Sequence, residues 1–405
     1  MLYFQRILLL VLVGGFASAP GLSQAGTPSH PLIQTLSSTE PNGDPGASGS
    51  FGHSIAVQKT TAMIGNPGSE DGGRVDVFTR SDNTWRLTGT FFPKDGSDGE
   101  GFGEIIAYQD DTALISSWHA VYVYKYGKGT NWHRVQKLTP PATDKVTTFA
   151  DVLQYGCGTA VITASGNSRI AYVYQRRADG TFALTTRLES PFGTSSQAFA
   201  ASAAVDCSRI LIGATGRNGT GLNSGLVFLY RKSAGVWRLS QMLAPLGAIG
   251  GEDFGRSVAM AHGSIFVGAP NALPSFVFNE SSQGGAVYVF SFNAGSYVQT
   301  DRIQPSLAEF DSFTDFGTSL LLTSDRLIVK ASVYDEGLPS GYSENLIFTY
   351  LRTGSSTQPL GIVLNIPDGG YGMAADCHRL IVGAPADRRC DCGGIAYAYD
   401  TGTVE

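Results

Sequence analysis

The sequence predicts an all-β protein, a seven-bladed β-propeller made of four-stranded antiparallel blades. Two observations lead to this expectation. A phrase that opens with an aromatic residue and a glycine or alanine, followed by small and apolar residues, recurs at residues 51, 102, 149, 199, 254, 316 and 371. Glycine accounts for 51 of the 405 residues and charged residues for only 15%, a composition typical of short strands joined by turns.

Each recurrence opens a unit of short apolar runs, and four such runs are legible in each of the first five units. The fifth unit reads FGRSVAM, SIFVGAP, GAVYVF and YVQTDRIQP. Runs of this kind, rich in Val, Ile, Tyr and Phe and bounded by Gly, Asn, Asp and Pro, are typical of strands. Several of them lack alternating polar residues, which indicates strands covered on both faces, as in blades packed around an axis.

The opening phrase has a physical role in this arrangement. Phe254 is expected to wedge between neighbouring sheets, and Gly255 permits backbone angles or a close approach that other residues do not. Gly268 and Ala269 keep side chains small where blades converge. Pro270 ends its strand because proline has no backbone donor.

The two ends of the chain predict how the ring closes. The seventh unit has three runs and no fourth, whereas residues 30–38, HPLIQTLSS, form a fourth run without a blade. Aligned with WRLSQMLAP, this run matches Gln34 with Gln241 and Leu36 with Leu243. Residues 30–36 are therefore expected to form the outer strand of blade 7, beside the strand around Tyr397. The alternative is an open array with two bare sheet edges.

The repeated pattern resembles the FG-GAP repeat family, which includes the head of integrin α subunits and many exported bacterial proteins. The resemblance runs over residues 26–405 and is weakest at the unit that begins at Phe149. It implies a propeller whose second-to-third and fourth-to-first links share an upper face that meets partners. Integrin-like members bind calcium through a D-x-D-x-D-G-x-x-D pattern in the first-to-second link. That pattern is absent from the corresponding links of this sequence, so no cofactor is expected, although calcium stays possible.

Residues 1–25 are predicted to be a secretory signal peptide, and residues 26–405 a single propeller. Arg6 precedes an apolar stretch over residues 7–16, and small residues follow. The alternative, an uncleaved anchor, is disfavoured because the stretch is shorter than the roughly 20 residues that span a bilayer. The mature protein is expected to be secreted or at the cell surface, extracellular or periplasmic, with no membrane span after cleavage.

Two long second-to-third links supply the candidate binding residues. They are NALPSFVFNESSQGG in blade 5 and SVYDEGLPSGYSENL in blade 6. Phe276, Phe278, Tyr334 and Tyr342, together with Leu273, are expected to form a contact surface on the upper face. The alternative is that these side chains fold back and pack locally.

Two acidic stretches are weak candidates for a cation site. The first contains Asp95, Asp98 and Glu100, and the second contains Glu309, Asp311 and Asp315. Carboxylates of this kind ligate hard cations, but Asp is also an ordinary turn residue, and the turn interpretation is preferred for both stretches. No metal is therefore assigned.

The five cysteines are too few for a disulfide scaffold, and their odd number leaves at least one without an intramolecular partner. They are Cys157, Cys207, Cys377, Cys390 and Cys392. A bridge between the first two, in adjacent blades, and a pair of free or buried thiols are both open. A zinc site from the last three with His378 is disfavoured, because a strand of roughly 20 Å separates Cys377 from Cys390.

The sequence predicts only a general class of function. The formal net charge of −6, without a basic cluster, gives no footprint for nucleic acid. No Gly-x-Ser-x-Gly elbow, HExxH motif or glycine-rich phosphate loop occurs in the sequence. This favours a non-catalytic binding or adhesion module for an extracellular protein or carbohydrate. The alternatives are a secreted hydrolase or lyase with its site at the mouth of the propeller, and a structural surface component without a specific ligand.

Overall fold

The computed structural model describes residues 32–38, 50–69, 72–93, 100–127, 131–193, 198–216, 224–247, 250–261, 263–273, 284–305, 313–334, 343–353, 356–367, 372–376, 379–385 and 394–400. The predicted signal peptide, residues 1–25, lies outside this part of the chain. Within the described residues, 28 strands form seven four-stranded antiparallel sheets, and no helix occurs among them. Consequently, no helix in these ranges has the length and apolarity needed to cross a membrane.

The chain begins with one separate strand, β1, and then builds its blades in order. The separate strand is β1 (Leu32–Ser37). Blade 1 contains β2 (Ile55–Gln58), β3 (Thr61–Asn66), β4 (Arg74–Ser81) and β5 (Thr84–Phe91). Blade 2 contains β6 (Ile106–Gln109), β7 (Thr112–Ser116), β8 (Val121–Tyr126) and β9 (Trp132–Leu138). Blade 3 contains β10 (Val146–Gly156), β11 (Thr159–Gly166), β12 (Ile170–Arg176) and β13 (Phe182–Glu189).

The remaining four blades follow the same order. Blade 4 contains β14 (Phe199–Val205), β15 (Arg209–Ala214), β16 (Leu226–Ser233) and β17 (Val236–Leu243). Blade 5 contains β18 (Ser257–Ala261), β19 (Ser264–Ala269), β20 (Ala286–Asn293) and β21 (Ser296–Ile303). Blade 6 contains β22 (Phe313–Leu322), β23 (Arg326–Tyr334), β24 (Ser343–Thr353) and β25 (Ser356–Pro367). Blade 7 contains β26 (Met373–Ala375), β27 (Arg379–Ala384) and β28 (Ile395–Asp400), with β1 as its fourth strand.

The seven blades form a closed β-propeller, as the sequence predicts. The first strand of each blade contacts the first strand of the next, and β26 of blade 7 contacts β2 of blade 1. The strand β1 pairs antiparallel with β28, with Thr35 opposite Tyr397 and Leu36 opposite Ala396. The expectation that the amino-terminal strand completes the last blade is therefore confirmed. Pairing along β28 also covers an edge that would otherwise be open.

Because the four strands of a blade alternate in direction, its links fall on two faces. The second-to-third and fourth-to-first links lie on one face, which we call the upper face. The first-to-second and third-to-fourth links lie on the other, which we call the lower face.

The aromatic residue that opens each of the first six repeats is buried between two blades. The phenylalanines of the first six units are at most 2% exposed, and they are Phe51, Phe102, Phe149, Phe199, Phe254 and Phe316. Phe254 packs with Leu229 and Leu243 of blade 4 and with Ile265 and Val267 of blade 5. The wedge predicted from the sequence is therefore observed. Tyr371, which opens the seventh unit, lies outside the described residues.

The glycines of the repeat bring adjacent blades into backbone contact. A Cβ added to Gly268 of blade 5 would lie 1.9 Å from the carbonyl oxygen of Gly317 in blade 6. The same carbonyl accepts a 2.6 Å hydrogen bond from Ser257 Oγ. Gly65 and Gly213 make the same approach to the next blade, where an added Cβ would lie 2.1 Å from a carbonyl oxygen. Glycine is needed at these positions because the neighbouring backbone occupies the place of a side chain.

Blades 2 and 3 use a different hydroxyl at this position. Ser116 and Thr163 replace the glycine. Ser116 accepts a 2.9 Å hydrogen bond from the backbone N–H of Ile105, just before β6, and Thr163 accepts one of the same length from Val152 in β10. The first-strand serine is replaced by an apolar residue in the same two blades. In these two blades the second strand carries the hydroxyl that the first strand carries elsewhere. The inner part of the sheet therefore still contains a hydrogen-bonded hydroxyl.

At three junctions, a glutamine on the outermost strand makes two hydrogen bonds to the backbone of one residue in the next blade. We call this pair of bonds the glutamine clasp. Gln34 donates from Nε2 to the carbonyl of Trp85 at 2.9 Å and accepts from the Trp85 amide at 2.8 Å. Gln241 makes the same pair of bonds with Tyr297, and Gln136 makes it with Phe182. The predicted match between Gln34 and Gln241 is thus confirmed in three dimensions. Since Gln34 belongs to β1, its clasp joins blade 7 to blade 1.

A disulfide joins blades 3 and 4 on the lower face. Cys157 and Cys207 lie in the first-to-second turns of these blades, with their Cα atoms 4.9 Å apart. At the two preceding junctions a glutamine side chain makes the equivalent contact. Gln58 accepts from the Asp110 amide, and Gln109 accepts from the Cys157 amide. Of the two possibilities left open by the sequence, the bridge is the one found. Cys377, Cys390 and Cys392 lie outside the described residues.

We expect loss of this disulfide to lower the free energy of unfolding by about 4 kcal/mol, because the bridge closes a loop of 50 residues in the unfolded chain. Urea unfolding of the wild type with and without reductant, and of the double variant Cys157→Ser/Cys207→Ser, measures the effect. Reductant should not change the urea midpoint of the double variant, which shows that the other cysteines do not contribute to the effect. Equal midpoints for the oxidised wild type and the double variant would contradict the expectation.

Candidate binding surface

The predicted contact residues of the two long links are placed only in part. Phe276, Phe278 and Tyr342 lie outside the described residues. Tyr334 is the last residue of β23, where it pairs with Ser343 of β24, so its backbone belongs to a strand ladder and not to a free link. Leu273 is half-buried, and its carbonyl accepts bonds from Arg302 at 2.6 Å and Gln304 at 3.1 Å. The structure therefore does not test whether these side chains form one contact surface.

A different aromatic side chain is presented on the upper face. Trp118 lies in the short link between β7 and β8 and is 52% exposed. Its amide donates to the carbonyl of Glu100 at 3.1 Å, and its carbonyl accepts from the amide of Phe149 in blade 3 at 3.2 Å. These two bonds hold the Trp118 backbone at the junction of blades 2 and 3.

The indole of Trp118 rests on a glycine. A Cβ added to Gly101 would lie 2.3 Å from Trp118 Nε1 and 2.5 Å from Cδ1, so only a glycine leaves room for the ring. Gly101 also has φ near +75°, a conformation that side chains rarely adopt. One part of the indole is thus packed on the backbone while the rest faces solvent. Such a ring is held in position before any ligand arrives, which reduces the entropic cost of binding.

Charged residues occupy one repeat position near the upper face in blades 1, 2 and 3. His53, Glu104 and Asp151 occupy the same repeat position, the residue after the aromatic pair, in blades 1, 2 and 3. His53 Nε2 lies 3.0 Å from Glu104 Oε1, which shows that this position in one blade reaches the same position in the next. Glu104 is linked to Gly101 by a bond from its amide to the Gly101 carbonyl.

Two tyrosine hydroxyls donate hydrogen bonds to carboxylates in the upper-face links and hold these links in place. Tyr288 donates to Glu252 at 2.7 Å, and Tyr172 donates to Asp144 at 2.6 Å. Burial, together with the hydrogen bond to the carboxylate, raises the pKa of both phenols above the ordinary value for tyrosine. Both phenols therefore stay protonated as donors, and each pair fixes a fourth-to-first link onto the third strand of the blade that follows the link. We assign these pairs to structure.

The acidic candidates for a cation site are also placed in part. Asp95, Asp98, Glu309 and Asp311 lie outside the described residues. Glu100 is exposed, and Asp315 is a described residue with φ near +63°. Within the ranges that the structure describes, no three His, Cys, Asp or Glu side chains are grouped as a metal site requires. The prediction that no cofactor is bound stays untested.

Sequence reasoning missed Trp118 because it searched the long links for contact residues. The signal was nonetheless present. SSWHAV places a tryptophan and a histidine in a two-residue gap between two apolar runs, on the face predicted to meet partners. A large aromatic side chain in so short a link has little neighbouring chain to cover it, so exposure is the expected outcome.

Comparisons with known proteins bear on the fold. No protein-family model matches the sequence, and no curated protein matches it. A chain of the mitotic checkpoint complex crystal structure aligns with 98% of this chain and 100% of its own length, with a TM-score of 0.55 and 10% identity. A protein from Lactobacillus plantarum aligns over 78% of this chain and 85% of its own, with a TM-score of 0.52 and 12% identity. Likeness at these identities concerns the fold alone, so the FG-GAP resemblance stays a prediction.

Proposed function

We propose that this protein is an exported, non-catalytic binding module that engages an extracellular protein or glycan through the upper face of its propeller. The observation that carries the proposal is Trp118, whose exposed indole is seated on Gly101 and whose backbone is tied to two blades. Exposed tryptophans fixed in this way are typical of the few residues that dominate binding energy at an interface.

Two further features support this function. The blades are locked by glycine contacts and by glutamine clasps, so the propeller is a rigid support for its upper-face links. The Cys157–Cys207 disulfide supports export, because disulfides persist in oxidising compartments outside the cytosol. Export and attachment to a partner stay proposals that rest on these features and on the predicted signal peptide.

We expect the Trp118→Ala variant to lose at least tenfold in affinity for whatever partner a protein and glycan array identifies, since an anchoring tryptophan typically contributes more than 1.4 kcal/mol. Phe292→Ala is the matched control, because Phe292 is 48% exposed and lies at the lower end of β20. Biolayer interferometry with and without EDTA measures both variants. Binding that is insensitive to Trp118, or equally sensitive to Phe292, would contradict an upper-face site.

A further inference from the structure

Three contacts recur between neighbouring blades. A second-strand glycine lets the next blade approach closely, a first-strand serine donates to the same carbonyl, and an outer-strand glutamine makes the glutamine clasp. At least one of the three is present between blades 1 and 2, 2 and 3, 4 and 5, 5 and 6, and 7 and 1. Each of them holds two sheets at a fixed separation, because hydrogen bonds weaken steeply when their geometry changes.

The junction between blades 3 and 4 has residues that cannot make these three contacts. Val152 occupies the serine position and has no hydroxyl, and Thr163 replaces the glycine and accepts its bond from Val152 within its own blade. Thr186 occupies the strand position that Gln241 has in blade 4, and it has no side-chain amide.

Apolar packing and a side-chain hydrogen bond cross this junction. Val173 of blade 3 and Trp237 of blade 4 belong to one buried apolar cluster. Lys232 Nζ in blade 4 donates a 2.8 Å hydrogen bond to Gln175 Oε1 in blade 3. Apolar packing is not directional, so it keeps the two sheets together but fixes their separation only weakly.

The disulfide lies at this same junction, and both of its cysteines are exposed. Cys157 and Cys207 are in first-to-second turns on the lower face. A Cβ added to Gly156 would lie 2.9 Å from the carbonyl oxygen of Val205, so the glycine lets the two turns approach each other. A thiolate in solution has access to the exposed sulfur atoms, which is what thiol–disulfide exchange requires.

We infer that the Cys157–Cys207 bond is a redox-sensitive latch, which an external dithiol opens to loosen the junction of blades 3 and 4 while the other junctions stay packed. A thiolate of the dithiol attacks one cysteine sulfur, the S–S bond breaks, and the other cysteine leaves as a thiolate that takes up a proton. The second thiol of the reductant then displaces the first cysteine and closes the disulfide of the oxidised reductant. Two electrons pass to the protein, and the two thiol protons of the reductant end on Cys157 and Cys207.

Hydrogen exchange of residues 26–405 in native buffer, with and without dithiothreitol, tests the latch. The innermost strands β10 and β14 contact each other across this junction, and β18 and β22 do so between blades 5 and 6, where the Ser257 bond and the Gly268 approach are present. Reduction lowers the stability of the whole fold as well, so the measured quantity is the ratio of exchange rates, that of β10 and β14 over that of β18 and β22. This ratio should rise about tenfold on reduction.

The chemistry of the latch has its own control. Alkylation after dithiothreitol should label both Cys157 and Cys207 without urea, because both are exposed. The double variant Cys157→Ser/Cys207→Ser should show the raised ratio with and without dithiothreitol, which separates this bond from the remaining cysteines.

Thr186→Gln tests whether the missing contacts are the cause. A glutamine there is placed to form a clasp with the backbone of Trp237, which corresponds to Tyr297 in blade 5. Two added hydrogen bonds should cut the rise in the ratio about fivefold. Gln241→Ala is the matched variant, because it removes a clasp between blades 4 and 5, where the bond from Ser202 to the Gly255 carbonyl remains. It should leave the response to dithiothreitol as in the wild type.

The outcomes decide the inference in either direction. A ratio that does not change on reduction overturns it, because the bond then stabilises all junctions alike. A disulfide that dithiothreitol cannot reduce without urea also overturns it. So does a full rise in the ratio for Thr186→Gln when the oxidised variant has a higher urea midpoint than the wild type. If that midpoint is unchanged, no clasp has formed, and the ratio in the wild type decides alone.

Discussion

Gly268→Ala is expected to destabilise the propeller by about 4 kcal/mol, a large share of the 5–15 kcal/mol that holds a typical domain folded. The added Cβ would lie 1.9 Å from the Gly317 carbonyl oxygen and 2.3 Å from Ser257 Oγ. Neither obstacle is the free end of a flexible side chain, because the carbonyl is backbone and the hydroxyl is bound to it. Blades 5 and 6 must therefore move apart or distort.

The urea midpoint of unfolding measures this effect, and Gly89→Ala is its matched control. Gly89 also lies in a strand, on the outer edge of blade 1, but a Cβ added there meets nothing within 4 Å. Its variant should unfold within 0.5 kcal/mol of the wild type or slightly later, because alanine restricts the unfolded chain. Neither glycine has a left-handed backbone conformation, so the difference between the variants isolates the blade contact. Equal midpoints would show that the blades can separate without cost.

The repeat made most of this fold predictable from the sequence. The repeated phrase places an aromatic ring and a small residue, glycine in five units and alanine in two, where two sheets meet, so its seven recurrences predict seven junctions. The position of Gln34 could be predicted because the glutamine clasp needs a side-chain amide at one position of the outermost strand, as at Gln241. A contact that recurs with the same chemistry leaves a trace in the sequence even where the surrounding residues differ.

Blade 6 shows where this reasoning stopped. Its fourth strand, β25, was not identified because it lacks an opening aromatic residue and contains Pro359. Proline is tolerated there because β25 is the outermost strand of its sheet. Lys330 stands at the position that is glycine in four blades, beside Ser319 on the paired strand. Burial lowers the pKa of its ammonium group, and nearby Asp315 partly opposes the shift. Nothing in the local pattern foretold a lysine at a blade junction.

The candidate site was less predictable than the fold for a physical reason. Repeat positions are constrained by contacts that every blade makes, whereas a binding residue is needed once and leaves no periodic trace. Trp118 departs from the repeat, and its position depends on Gly101 in the link between blades 1 and 2. The His53–Glu104 contact is likewise formed by two residues that share a repeat position but not a residue type.

Closure by β1 leads to the second large effect, which concerns Leu36. This side chain is 2% exposed and packs between Phe78 and Trp85 of blade 1 and Ala396 and Ala398 of blade 7. Leu36→Asp would place a carboxyl group in this apolar contact and remove the leucine that fills it. We expect a loss of about 5 kcal/mol in the free energy of unfolding, combining the lost apolar burial with the cost of burying an acid.

Leu32→Asp is the control on the same strand, because Leu32 is 45% exposed and its replacement should change stability by less than about 0.5 kcal/mol. Urea unfolding compares the two variants, and hydrogen exchange of the β28 amides reports whether β1 has detached. In Leu36→Asp the amides that face β1 should exchange faster, and light scattering should rise, because an unpaired edge strand templates association. If both variants unfold alike and the β28 amides stay protected, pairing between β1 and β28 persists without Leu36. The ring would then be held shut by Gln34 and the strand ladder alone.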